Sequence, residues 1–274
     1  MINVLELFSG TGSVGKVCNS IGWNVVSLDN ELPADHECDI MTFDYKQYPP
    51  DYFQVVWASP PCTFYSRLQN CWLGKKKADG IVFTKEILEK KRDESDVLIR
   101  KSLEIIDYFK PELWFMENPQ TGILKDREVV KGLPFYDVSY CMYCDWGYEK
   151  KTRIWTNKKD WTALRCDKSG ACGNMIEIPT AGAVRHDTGK PLKCKTRKLH
   201  NNLLCKSETL RAIRKHKLNV ANDVHTIGEK KKHKLTMGGN HGTDPNQPHV
   251  AGGGTNRLDR YRVPEDLILS LFLD

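Results

Sequence analysis

The chain is 274 residues long, 40% hydrophobic and 28% charged, the composition of a globular protein of one or two domains rather than a disordered or fibrous one. The apolar run Leu267–Leu271 is broken by Ser270, and Met1 leads straight into the strand-like Ile2–Phe8; neither a membrane span nor a secretory leader is expected, and ten cysteines without a leader suit reduced thiols in a cytoplasmic setting. The net charge of +6 is uneven, residues 150–235 holding 22 Lys and Arg against 7 Asp and Glu while the remainder holds 19 against 28, which is the footprint of a polyanion binder on an acidic body.

Strands and helices alternate through the first half. Asn3–Phe8 reads as a strand, Ser9-Gly10-Thr11-Gly12 as a glycine turn and Val14–Ile21 as a short helix. Asn24–Leu28 is a second strand ending in Asp29, and Phe53–Ala58 a third ending in Ser59-Pro60-Pro61-Cys62. Apolar residues at helical spacing (Leu98, Ile99, Leu103, Ile106, Phe109) predict a helix over 93–109. Leu113–Met116 is a strand ending in Glu117-Asn118-Pro119, and 137–143 with 153–156 suit an antiparallel edge pair. The alternation predicts an α/β fold with a doubly wound, mostly parallel sheet. The second half is richer in Lys, Gly, His and Asn; Ser207–Leu218 reads as a basic helix, and 264–273 as a helix that returns to the sheet domain.

Ligands of such sheets bind beyond the carboxyl ends of the strands, where the glycine turn, Asp29, Cys62 and Glu117 all fall. Gly10-x-Gly12-x-x-Gly15 between strand and helix, with Asp29 at the next strand end, suits a nucleoside cofactor: the glycines admit close backbone approach and the acid bonds ribose hydroxyls. That pattern does not separate a nicotinamide dinucleotide from S-adenosylmethionine. Asp39, beside Ile40, is a candidate adenine contact. Two prolines hold Cys62 out at the sheet edge, and Glu117, after four apolar residues, suits a general acid if it is desolvated.

The ordered set Phe8-Ser9-Gly10-Thr11-Gly12, Pro61-Cys62 with Ser66, Glu117-Asn118 and Thr152-Arg153-Ile154 resembles the cytosine-C5 DNA methyltransferase family, closest to compact viral, phage and bacterial forms. The resemblance covers residues 2–157. It implies an S-adenosylmethionine-dependent enzyme in which Cys62 is the nucleophile, Glu117 meets cytosine N3, Asn118 positions Glu117 and Arg153 binds the cytosine carbonyl oxygen. It places the cofactor on Phe8, Ser9, Gly10, Thr11, Gly12, Asp29, Asp39, Ile40 and Pro61. It makes residues 69–91, with Lys75-Lys76-Lys77, the loop that closes over a flipped-out base. Pro119 stands where the family usually has Val, and Lys151 where it has the first arginine of an Arg-x-Arg element.

On this reading the chain divides into a catalytic domain (1–157), a basic target-recognition region (158–255) and a C-terminal helical segment (256–274). The expected partner is double-stranded DNA, bound by a monomer in the cytoplasm, or in the host cytoplasm or nucleus if the source is viral; a cognate restriction nuclease is left open. Arg165, Arg185, Arg197, Arg211 and Arg214 are candidates for guanine contacts. An RNA cytosine-C5 methyltransferase and a non-catalytic DNA-binding relative are the alternatives. Cys141-x-x-Cys144 with Cys166 and Cys172 has the makings of a four-thiolate zinc site, but packing competes for Cys141 and no metal is assigned.

Overall fold

A computed structural model describes residues 1–76, 79–146, 149–179, 196–200 and 262–273. The predicted helix 207–218, the Gly-rich loops, Lys77, Cys194, Cys205, Arg185, Arg211, Arg214 and the side chain of Arg197 lie outside what is described. The chain divides into two units: 1–143 with 150–165 and 262–274, and 144–149 with 166–261.

The first unit is built on a seven-stranded sheet. Its strands are β1 (Asn3–Leu7), β2 (Asn24–Asp29), β3 (His36–Glu37), β4 (Val55–Ala58), β5 (Leu113–Pro119), β6 (Phe135–Ser139) and β7 (Lys151–Thr156). They lie in the order β3-β2-β1-β4-β5-β7-β6. The first five are parallel, and β7 runs antiparallel to both β5 and β6. This is the doubly wound, mostly parallel sheet expected, with its order reversing between β1 and β4, the place where such folds open a ligand crevice.

The period of two sorts residues onto the faces. Leu5, Leu7, Val56, Ala58, Met116 and Trp155 join the main core with Ile99, Ile105, Ile106 and Phe109 of α2 (Lys85–Phe109). On the other face Trp57 and Phe115 meet Phe272 of α3 (Glu265–Leu273), which also stacks on Trp23 at 5.5 Å. The buried residues of α3 are Leu267, Ile268, Leu271 and Phe272, the apolar face read from sequence. No helix among the described residues is long and apolar enough to cross a membrane.

Helix α2 begins eight residues before the predicted start. Thr84 caps it, its side chain accepting from the Ile87 N–H at 3.3 Å, and Glu86 lies in the positive first turn. The buried stripe runs Leu88, Arg92, Asp96, Ile99, so its N-terminal half is held by ion pairs rather than by apolar packing. Residues 85–91 therefore belong to a helix, and the segment between Cys62 and α2 ends at Thr84. Helix 93–109 as predicted ends correctly: Lys110 turns left-handed (φ 47°) before Pro111.

The second unit contains a two-stranded antiparallel sheet of β8 (Met175–Pro179) and β9 (Thr196–His200).

Candidate active site

The glycine turn joins β1 to α1 (Ser13–Ser20). Phe8, Gly10 and Gly12 all have positive φ (57°, 56° and 65°), which turns the backbone sharply between β1 and α1. Asp29, at the end of β2, organises this turn: Oδ2 accepts from Gly10 N–H at 2.8 Å, and Oδ1 from Glu31 and Leu32 N–H at 2.8 and 2.9 Å. A carboxylate has about four acceptor positions; three are taken by backbone, which leaves room for one hydroxyl. Asp39 is exposed, and its Oδ1 accepts from Met41 N–H at 2.8 Å. The Ile40 side chain is in the core, 2% exposed, so a bound nucleoside can meet only its backbone. Ser9 is buried; Phe8, Thr11 and Gly12 are half-buried; Pro61 is exposed.

Glu6 was not singled out from sequence. It lies in β1 and reads there as a strand residue, yet its carboxylate caps α1 from below, accepting from Val14 N–H at 3.2 Å and Gly15 N–H at 2.9 Å. A Cβ on residue 15 would lie 2.8 Å from Glu6 Oε2; that is what the third glycine is for. Burial raises the Glu6 pKa from 4.5 to about 7, the two N–H bonds offsetting only part of the desolvation. Between those values the folded chain holds a proton that the unfolded chain has lost, so this group's contribution to stability falls as pH rises from 4.5 to about 7 and is level above it. The drop is on the order of 3 kcal/mol. Urea unfolding between pH 5 and 8 should show this slope in the natural protein and not in Glu6→Gln; identical pH profiles would contradict it.

Cys62 and Glu117 leave the ends of adjacent parallel strands, β4 and β5, whose last registered pair is Ala58–Met116. Asn118 joins the two ends: it is 1% exposed and donates its side-chain amide to the Pro60 carbonyl at 2.9 Å. It thereby holds the Cys62 loop against the end of β5, while the Glu117 side chain, one residue earlier in the strand, lies on the opposite face. Asn118 Oδ1 is buried without a hydrogen-bond partner among the described residues. Gly122 lets the chain leaving β5 press on the same loop: a Cβ there would lie 3.2 Å from the Pro119 carbonyl and 3.3 Å from that of Tyr65, while Ile123 N–H donates to the Tyr65 carbonyl at 2.9 Å. Behind the loop, the Tyr65 hydroxyl donates to Asp96 at 2.8 Å, Arg92 Nε donates to the Phe64 carbonyl at 3.2 Å, and Arg127 bridges Asp96 and Asp93 at 2.7 and 2.6 Å. Burial and Asp96 push the Tyr65 phenol far above its ordinary value, so it remains a donor. The Cys62 thiol is half-buried and makes no disulfide.

Glu117 is 7% exposed. The Lys150 ammonium lies 3.2 Å from its Oε1, and the Tyr140 hydroxyl donates to the same oxygen at 3.3 Å. Arg153, expected to bind the cytosine carbonyl oxygen, has protein partners on the other face of the sheet. The register pairs Glu117 with Ile154 and Asn118 with Arg153, which puts Glu117 and Arg153 on opposite faces. The guanidinium forks onto Asp137 of β6 at 2.7 and 2.9 Å and stacks over Phe135, 3.5 Å from the ring centre. Asn118 thus ties the Cys62 loop to the end of β5, Glu117 at that strand end is met by Lys150 and Tyr140, and Arg153 pairs with Asp137.

No family model matches the chain. A protein of Frog virus 3 (isolate Goorha), named "Probable DNA (cytosine-5)-methyltransferase", is 38% identical over 187 residues, 68% of this chain and 84% of that protein. Among solved structures, the Entamoeba histolytica methyltransferase EhMeth is similar with a TM-score of 0.40 at 18% identity, covering 60% of this chain and 56% of that one. S. pombe Dnmt2 methyltransferase gives 0.38 at 16% identity, covering 60% and 53%. The chain spans little more than half the length of these two structures. The extent and identity of the viral match establish that the chain belongs to the DNA (cytosine-5)-methyltransferase family.

Proposed function

We propose that this protein transfers a methyl group from S-adenosylmethionine to carbon 5 of cytosine in double-stranded DNA. The observation that carries the reading is the Asn118–Pro60 hydrogen bond, which fastens the strand end bearing Glu117 to the loop bearing Cys62. Carbon 5 of cytosine is a poor nucleophile. Addition of the Cys62 thiolate to carbon 6 makes the ring an enamine whose carbon 5 can attack an electrophilic carbon. Negative charge moves toward N3 as sulfur adds, and Glu117 donates a proton there. Its Oε1 is engaged by Lys150 and Tyr140, so Oε2 is the oxygen for the base, and the ammonium stabilises the carboxylate left behind. Loss of the carbon-5 proton to a base then expels the Cys62 sulfur as thiolate while the N3 proton returns to Glu117, which restores the aromatic ring and the acid. A base stacked in a duplex cannot reach these groups and must flip out. Asn118 is a positioning residue for Cys62.

The cofactor supplies a methyl group on a positively charged sulfonium. The residues present fit it: the Phe8–Gly12 turn, whose glycines admit close backbone approach, one remaining acceptor position on Asp29 for a ribose hydroxyl, the Ile40 backbone and Asp39 for the adenine, and Pro61 between cofactor and base. The basic residues 150–235 supply phosphate contacts, with salt-dependent affinity.

The test is incubation with labelled S-adenosylmethionine and, in parallel, duplex DNA and RNA, followed by nucleoside analysis. The expected product is 5-methyl-2′-deoxycytidine. Label only in RNA would support the RNA enzyme instead, and methyl on the exocyclic nitrogen would overturn the assignment.

A further inference from the structure

A side-chain cluster outside the methyl-transfer site has the chemistry of a metal centre. Cys166 and Cys172 lie in the loop that follows β7, and His200 ends β9. His200 Nε2 is 3.4 Å from Cys166 Sγ and 3.7 Å from Cys172 Sγ, and the three ligand atoms lie within 4.8 Å of one another. Tetrahedral zinc, with bonds of about 2.3 Å to sulfur and about 2.0–2.1 Å to nitrogen, sets sulfur and nitrogen roughly 3.5 Å apart. The observed spacings need little adjustment to receive the ion.

The surroundings are built in the same sense. The β8–β9 register pairs Met175 with His200, which brings the histidine back beside Cys172, three residues upstream. The other ring nitrogen, Nδ1, faces Glu149 Oε2 at 4.0 Å, the carboxylate–histidine arrangement that fixes the ring for metal binding through Nε2. Lys168, in left-handed conformation (φ 65°), directs its N–H to Cys166 Sγ at 3.4 Å, which fixes the sulfur's position. Asn174, 3% exposed, donates both to the Cys144 carbonyl at 2.8 Å and to the Cys172 carbonyl at 2.9 Å. That staple ties Cys144, where the chain enters the second unit, to the cluster.

We propose that Cys166, Cys172 and His200, all of the second unit, hold a structural zinc ion, with a fourth ligand completing the tetrahedron. Two or three thiolates with one imidazole select zinc over harder cations. The histidine replaces one of the four thiolates that cysteine spacing alone suggested. A closed, four-ligand site has no open position for a substrate; its role is to fold the second unit, in which most of the basic block lies.

The full-length protein, purified under reducing conditions, should carry stoichiometric zinc by elemental analysis. After metal stripping, cobalt(II) should restore the intense visible bands of a tetrahedral site together with thiolate-to-cobalt charge transfer. Cys166→Ser and Cys172→Ser should each weaken the charge transfer and lower metal affinity at least tenfold. His200→Cys should keep a tetrahedral spectrum with stronger charge transfer, which separates loss of a ligand from loss of folding. Cys62→Ser should leave zinc untouched. Protein that carries no zinc and takes up no cobalt, or a Cys166–Cys172 disulfide found by mass under the same conditions, would overturn the proposal.

Discussion

Replacing Cys62 by serine is expected to lower methyl transfer by at least roughly 10³-fold while DNA binding and folding stay near those of the natural protein. The two side chains are nearly isosteric, and the loop is held by others: Asn118 on the Pro60 carbonyl, Ile123 on the Tyr65 carbonyl, Arg92 on the Phe64 carbonyl. What changes is the nucleophile. Sulfur as thiolate adds to carbon 6, whereas a serine hydroxyl supplies essentially no alkoxide. Asn118→Ala should give a milder loss with rescue by no exogenous thiol, because it removes placement and not chemistry. A Cys62→Ser enzyme that turns over normally would remove the covalent route.

Glu117→Gln carries the second large effect, a fall in kcat of about 10²–10⁴-fold with little change in KM for DNA. The amide keeps the shape but has no acidic proton for N3, and it leaves the Lys150 ammonium, 3.2 Å away in the natural protein, facing a neutral group. Lys150→Met tests the partner: the carboxylate then loses its counter-charge while keeping the Tyr140 hydroxyl, and a fall of about tenfold is expected, with the pH–rate profile displaced. By contrast Arg153→Ala should act mainly through stability, and Asp137→Asn should reproduce it, since those two side chains are each other's partners. If Arg153→Ala instead abolished turnover with an unchanged Tm, and Lys150→Met did nothing, the assignment of faces would be wrong.

Much of this site is legible in the sequence because parallel sheets put their ligands in one place. Once β1, β2, β4 and β5 are recognised, the glycine turn, Asp29, Cys62 and Glu117 must share one edge. The apolar stripe of α3 is equally plain. What the sequence hides follows from distance along the chain. Lys150 precedes β7 and meets Glu117 only through the fold, so nothing in the local sequence marks it. Glu6 looks like any polar residue in a strand, because its task, capping α1, depends on a helix that starts only after the turn. The first two turns of α2 lack an apolar period, since Arg92 and Asp96 occupy its buried positions and satisfy each other's neighbourhood through Glu89, Arg127 and Tyr65. His200 joins Cys166 and Cys172 only through the pairing of β8 with β9, 28 residues beyond the second cysteine.

The central claim is that the Cys62 sulfur bonds to carbon 6 of the target cytosine. DNA carrying 5-fluorocytosine tests it most directly: fluorine at carbon 5 cannot leave as a proton does, so the adduct is trapped after methyl transfer. The protein should form a complex with that DNA that survives denaturing electrophoresis, requires S-adenosylmethionine, and maps by peptide mass to Cys62. A preparation that methylates ordinary DNA yet gives no such complex, or one linked through another residue, would contradict the account.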